Sequence, residues 1–196
     1  MRARLCLLTL LTIACAEGPA SPPMPRAVAF DLQGAPTDPL AGPLDGRPAA
    51  ATVLVFLSTH CPISDRYAPT LRALAGGWAS AGVRMWLVYP DPDDDAAAIA
   101  AHQAAFALEL PTLRDPGHVL VARAGVRVTP EAAVFGPGAP SPAYRGRIDD
   151  RVQGFGKIRP EAGAHELRDA VAAVVRGEPP RPAGGPAIGC YIADLQ

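Results

Sequence analysis

Cys61 follows directly on a run of five apolar residues, Val53 to Leu57, with only Ser58, Thr59 and His60 between, and Pro62 comes immediately after it. A run of that length bounded by small and polar residues reads as a strand buried on both faces. Proline is favoured at the first position of a helix, where its missing N–H is no loss. Ile63, Tyr67, Leu71 and Leu74 then recur at helical spacing, which predicts a helix from Pro62 to about Trp78. Cys61 therefore stands where a buried strand hands over to a helix N-terminus. The partial positive charge there favours the thiolate, the reactive form of cysteine. Such a thiolate attacks a disulfide sulfur or a peroxide oxygen, and a second thiol must resolve the product. Ser64, three residues on, cannot be that thiol; Cys190 can, if the end of the chain folds back over Cys61. His60 is a candidate for lowering the Cys61 pKa from beside it.

The elements that must position these residues follow along the chain. Ala27 to Leu32 is expected as a first strand, followed by a turn-rich stretch from Gly34 to Pro48. After the Cys61 turn and its helix, Val83 to Tyr89 reads as a second buried strand. The acidic cluster Pro90 to Asp95 lacks the alternating spacing of a calcium loop and is expected to cap a helix running from about Asp95 to Leu108. His102 on that helix has no ligand partner at matching spacing and is expected at the surface. Leu110 to Leu113 suggests a strand edge, His118 to Ala124 a short helix, and Ala132 to Phe135 a strand entered through Thr129-Pro130. A cis bond at that proline reconciles it with a central strand. Ala143 to Ile148 is the return strand, Asp149 to Arg151 a local charge pair of little worth, Gln153 to Pro160 a loop, and Glu161 to Arg176 the closing helix, capped by Gly177. This order predicts an α/β three-layer sandwich with a mixed central sheet.

Strand, Cys-Pro-x-x, then helix resembles the active-site turn of the thioredoxin-like redoxins, and the resemblance extends over roughly residues 28–176. Thr129-Pro130 matches the cis-proline element that faces the cysteine in that fold. The wider wording CPIS…YAP, LPTLRD, TPE, YRGRIDD and a late GC is similar to secreted bacterial redoxin-domain proteins of the AhpC/TSA type. The resemblance implies a thiol–disulfide oxidoreductase or peroxidase with Cys61 as nucleophile and no cofactor. It implies Ser58, His60, Thr129 and Pro130 as substrate-binding or activating residues, with Tyr67 and Arg127 as further candidates to line the site. Two departures stand out. Cys61-Pro62-Ile63-Ser64 lacks the adjacent second thiol, and Leu54 occupies the position of the peroxiredoxin proline, although Ser58 fills the hydroxyl position.

A net charge of −1 and no basic stripe give no case for nucleic acid as a partner. Met1 to Arg4 followed by the apolar run Leu5 to Ala14 reads as an export signal (residues 1–14). Thr12-Ile13-Ala14-Cys15 looks like a lipobox, which makes Cys15 a lipidation site and the membrane a partner through that anchor. Residues 15–27 form a proline-rich tether, and residues 177–196 a Pro/Gly-rich tail carrying Cys190. The expected location is the periplasm or cell envelope. Of the 4 cysteines, Cys6 leaves with the signal and Cys15 takes lipid, so Cys61 and Cys190 remain as thiols in an oxidising compartment. They could cycle between dithiol and disulfide, form a static bridge, or stay apart. Partners on the first reading are thiol or disulfide proteins, or peroxide. Two other classes stand beside it: a copper chaperone using both thiols and one of His60, His118 or His165, and a non-catalytic binding module. No metal site is expected on the preferred reading.

Overall fold

The computed structural model describes residues 29–42, 47–182, 184–193 and 195. The expected signal, Cys15 and the tether lie outside these residues. The centre is β3 (Ala51–Phe56), whose six residues are all buried. It pairs in parallel with β4 (Val83–Tyr89) and antiparallel with β7 (Glu131–Phe135). Beyond β4 come β5 (Thr112–Arg114) in parallel and then the hairpin of β1 (Ala29–Phe30) and β2 (Pro36–Thr37). Beyond β7 lies β8 (Tyr144–Gly146), which closes a seven-stranded mixed sheet in the order β2-β1-β5-β4-β3-β7-β8.

The side-chain alternation of β3 divides the core between two faces. Val53, Val55 and Leu57 pack on one face with α1 (Pro62–Trp78), α2 (Ala96–Phe106) and α4 (Glu166–Val175). Leu54 and Phe56 pack on the other with α3 (Val119–Ala124) and with Ile192. Leu54, in the middle of a fully buried strand, is a core residue. Each such side chain contributes about 1.5–3 kcal/mol of burial. The result is a three-layer α/β sandwich with a mixed central sheet. Among the described residues no helix is long and apolar enough to cross a membrane.

The register sets the site. Phe56 pairs with Glu131, so the chain leaving β3 toward Cys61 and the chain entering β7 through Pro130 meet at one end of the sheet. Tyr89, the last residue of β4, ends there too.

Several expectations need correction. His102 is buried, not at the surface, with 7% exposure. Its Nε2–H donates to Asp65 at 2.9 Å and its Nδ1 accepts from the Tyr89 hydroxyl at 2.9 Å. The imidazole thereby satisfies a phenol that has no access to water, joining α1, β4 and α2. Asp149 and Asp150 are likewise buried rather than an exposed pair. Asp149 accepts from the Tyr67 hydroxyl at 2.8 Å, while Asp150 accepts the Gly163 and Ala164 N–H groups. Those bonds hold residues 163–164 out of helical pairing, so α4 begins at Glu166 rather than Glu161. The expected loop after Gln153 is a small hairpin, β9 (Val152–Gly154) with β10 (Lys157–Ile158). The first strand, expected to run to Leu32, ends at Phe30, and residues 27–28 of that expectation lie outside the described residues.

His102→Ala leaves the Tyr89 hydroxyl buried without its partner and is expected to cost about 1–3 kcal/mol. Urea unfolding of the variant checks this; a loss under about 0.5 kcal/mol, the size of an ordinary surface substitution, would show that the buried chain of bonds does not hold these elements together.

Candidate active site

Cys61 is the N-cap of α1, with extended backbone (φ −102°, ψ 106°) and Pro62 entering the first turn. Its side chain is fully buried at 0% exposure. The preceding turn is pinned from several sides. The Cys61 N–H donates to the Ser58 carbonyl at 3.3 Å, and the His60 N–H donates to Ser58 Oγ at 3.1 Å. The Ser58 N–H donates to Ser64 Oγ at 3.4 Å. Asp94, 1% exposed, accepts the Thr59 N–H at 3.3 Å and the Thr59 hydroxyl. Its neighbour Asp95 caps α2 by accepting the Ala98 N–H at 2.7 Å. The acidic cluster thus divides its work: Asp95 starts a helix, and Asp94 clamps the turn that carries the cysteine.

Facing Cys61 is the Thr129-Pro130 peptide, which is cis. The Cys61 thiol donates to the Thr129 carbonyl at 3.0 Å. Thr129 ends β6 (Val128–Thr129), a short strand that lies outside the main sheet. Glu131 shapes the bend by accepting the Arg127 N–H at 2.9 Å and the Val128 N–H at 3.4 Å.

The partner of β6 is the end of the chain. β11 (Cys190–Tyr191) runs antiparallel to it, with Cys190 opposite Thr129 and Tyr191 opposite Val128. The Ile192 N–H extends the pairing by donating to the Arg127 carbonyl at 3.1 Å. Ile192 is buried against α3 and the far face of the sheet, while Ile188 packs toward the α1 face. Gly189 makes the approach possible. A Cβ there would overlap the Thr129 carbonyl oxygen and lie 2.6 Å from its carbon and 3.1 Å from the Pro130 nitrogen. Only a residue without a side chain lets the tail come this close.

The two sulfurs meet as a result, as a pair of free thiols. Burial alone would push the Cys61 thiol up. Hydrogen bonds from the Cys190 thiol, the Ser64 N–H, the Cys190 N–H and the Ser64 hydroxyl outweigh it, and Cys61 sits below the ordinary thiol range. Cys190 moves the other way, to about 11, through burial, its hydrogen bond to Cys61 and the Cys61 charge. The pair can therefore hold one proton on Cys190 and a thiolate on Cys61.

No family model matches the chain, and no curated protein does either. Solved structures match well. A hypothetical protein of Sinorhizobium meliloti aligns with a TM-score of 0.66 at 24% identity, covering 84% of this chain and 88% of its own. An uncharacterized conserved protein from Geobacillus kaustophilus gives 0.63 at 22%, covering 84% and 86%. A thiol-disulfide oxidoreductase from Bacteroides fragilis gives 0.51 at 13%, covering 60% and 85%. The fold is thioredoxin-like.

In this thioredoxin-like fold Cys61, Ser64, Thr129, Pro130 and Cys190 come together. Ser58 stands behind them with its hydroxyl oxygen taken by the His60 N–H. His60 itself turns outward, its side chain 70% exposed and its Nε2 3.7 Å from Asp94. Tyr67 points to Asp149, and Arg127 is exposed. His118 Nε2–H donates to the Pro90 carbonyl at 3.0 Å. Among the described residues no group of three or more histidines, cysteines and acids is placed to hold a metal. Asp94 reads in the sequence only as part of a helix-capping cluster, and neither Glu131 nor Gly189 stands out there as a site residue. The glycine before Cys190 was the available signal, since a bare backbone beside a reactive residue marks a close approach.

Gly189→Ala is expected to lift β11 from Thr129 at a cost of about 1–3 kcal/mol, lowering Cys61–Cys190 disulfide formation in a glutathione redox buffer roughly 5- to 150-fold. Thiol-trapping mass spectrometry reads the ratio. Equal disulfide yield with the wild type would show that the overlap is relieved without moving Cys190.

Cys190→Ala removes a hydrogen bond that holds Cys61 down and is expected to raise the Cys61 pKa, whereas Cys190→Ser keeps a donor and raises it less. Thiolate absorbance titration of the two variants orders them; the reverse order would mean that burial by Cys190 outweighs its hydrogen bond.

Proposed function

We propose that this protein is an exported, lipid-anchored thiol–disulfide oxidoreductase in which Cys61 is the nucleophile and Cys190 the second thiol. The observation that carries this reading is the pairing of β11 with β6, which sets Cys190 against a buried, low-pKa Cys61. In the forward direction the two thiols lose two protons and two electrons to a disulfide acceptor and close the Cys61–Cys190 bond. A partner dithiol reverses the step. The fold is one on which a thiol-disulfide oxidoreductase is built. Export and anchoring at Cys15 are supported by the apolar run Leu5 to Ala14 and the lipobox-like Thr12 to Cys15.

Exchange with thiols and disulfides is favoured over peroxide reduction. Cys61 lies at 0% exposure beneath Cys190, and Leu54 stands in the peroxiredoxin proline position. Arg127, which could assist a peroxide, is exposed.

Thiol trapping with intact-mass analysis on the purified protein tests the reading. A disulfide between Cys61 and Cys190 should close with oxidised glutathione and open with reductant; both thiols remaining free to alkylate under the oxidant would sink it. The closed form should also resist urea better than the reduced form by about 4–5 kcal/mol, because the bond ties a loop of more than 100 residues in the unfolded chain. Equal unfolding midpoints for the two forms would place the bond elsewhere or nowhere.

A further inference from the structure

The two sulfurs differ in depth, and this decides which of them the outside world can reach. Cys61 is fully buried, covered by β11 above and held by the Thr129 carbonyl. Cys190 is half-buried and lines a small cleft of about 110 Å³ with Ser58, His60, Pro90, Thr129 and Tyr191. Tyr191, 87% exposed, stands at its rim. We propose that Cys190 is the sulfur that exchanges with partner thiols, and that Cys61 acts behind it as the buried leaving thiol. This rests on the Cys61–Cys190 pair of the redox reading above and refines it: the partner bonds to Cys190, and Cys61 is the nucleophile within the pair, attacking the Cys190 mixed disulfide when the exchange runs toward the closed form.

Thiol–disulfide exchange is a displacement in line with the bond that breaks. Cys190 lines the cleft and the fully buried Cys61 does not, so a thiolate that enters there meets Cys190 first, with Cys61 behind it as the leaving sulfur. A partner thiolate entering there attacks the Cys190 sulfur. The partner–Cys190 bond forms, the Cys61–Cys190 bond breaks, and the electron pair leaves on Cys61. The second thiolate of a partner dithiol then attacks the partner's own sulfur in the mixed disulfide. Cys190 leaves and takes up a proton, and Cys61 equilibrates with solvent. The partner has lost two protons and two electrons, and the protein has gained them.

The environment of each sulfur fits this order. Exchange is faster when the leaving thiol has the lower pKa. Expelling Cys61 releases a thiolate already held by Ser64 and the Cys190 N–H, whereas attack on Cys61 would have to expel Cys190, whose thiol burial pushes up. The opposite order also requires reaching a sulfur with no exposed surface. The cleft is well below the roughly 300 Å³ at which small-ligand pockets begin. It takes a single thiol side chain, not a whole small molecule, so the substrate class is an exposed dithiol carried on another protein.

A monothiol probe reads the order directly. The oxidised full-length protein is pulsed with reduced glutathione, quenched in acid, and digested for mapping of the mixed disulfide. Glutathione is expected on Cys190 in roughly tenfold or greater excess over Cys61. Glutathione mainly on Cys61, or evenly on both, would overturn the order while leaving the redox pair intact. Failure to form any Cys61–Cys190 disulfide beforehand would overturn the redox reading itself. The Gly189→Ala variant supplies a second readout: with the tail lifted, Cys61 of the reduced protein should alkylate with iodoacetamide faster than in the wild type, and an unchanged rate would show that β11 is not what shields it.

Discussion

The close passage of Gly189 over the Thr129-Pro130 peptide is the constraint on which the site depends. Without it β11 could not pair with β6, Cys190 would not lie opposite Thr129, and Cys61 would have no second thiol within reach. Two residues of strand pairing are weak by themselves. They are held by Ile192 and Ile188, which insert toward the two faces of the sheet on either side of the paired residues. The tail is thus docked by apolar burial and aligned by backbone bonds, with the glycine setting how near the alignment can come.

Behind this contact is a rigid support. β3 and β7 are antiparallel neighbours in register, so the Cys61 turn and the Pro130 bend are fixed relative to each other by the central sheet. Asp94 ties the turn to the segment after β4, and Glu131 ties the bend to the start of β7. Both carboxylates are nearly buried and accept backbone N–H groups, the arrangement in which a buried charge is tolerated. The asymmetry between the sulfurs follows from this support. The helix terminus and Ser64 stabilise charge at Cys61, while Cys190, arriving from outside, is left as the proton donor.

Much of this was legible in the sequence where one signal dominated. The apolar runs Val53 to Leu57 and Val83 to Tyr89, and the Pro62 start of α1, match the observed elements because burial on both faces and the proline leave few alternatives. Where buried polar groups decide, the sequence was silent. His102 reads as a lone surface histidine because its partners, Asp65 and Tyr89, come from other elements. Asp149 and Asp150 read as a loose charge pair because nothing local shows that Tyr67 and residues 163–164 need acceptors. The meeting of Cys61 and Cys190 was equally beyond local reading. It depends on a pairing between segments about 60 residues apart, Val128–Thr129 and Cys190–Tyr191, and short strands carry little pattern.

Placing the second thiol on the tail rather than at Ser64 changes what controls the chemistry. In a Cys-x-x-Cys turn both sulfurs belong to one helix terminus, and their proximity is fixed once that helix forms. Here proximity depends on the docking of β11 on β6, so the effective concentration of Cys190 at Cys61 is set by the stability of that pairing. Anything that competes with β11 for the edge of β6 it occupies would lower that concentration and uncover Cys61 at the same time. In the proposed disulfide form the bond would make the docked state permanent and leave only Cys190 open to attack. On that proposal the redox state of the pair and the position of the tail are linked, each favouring the other through the same short strand.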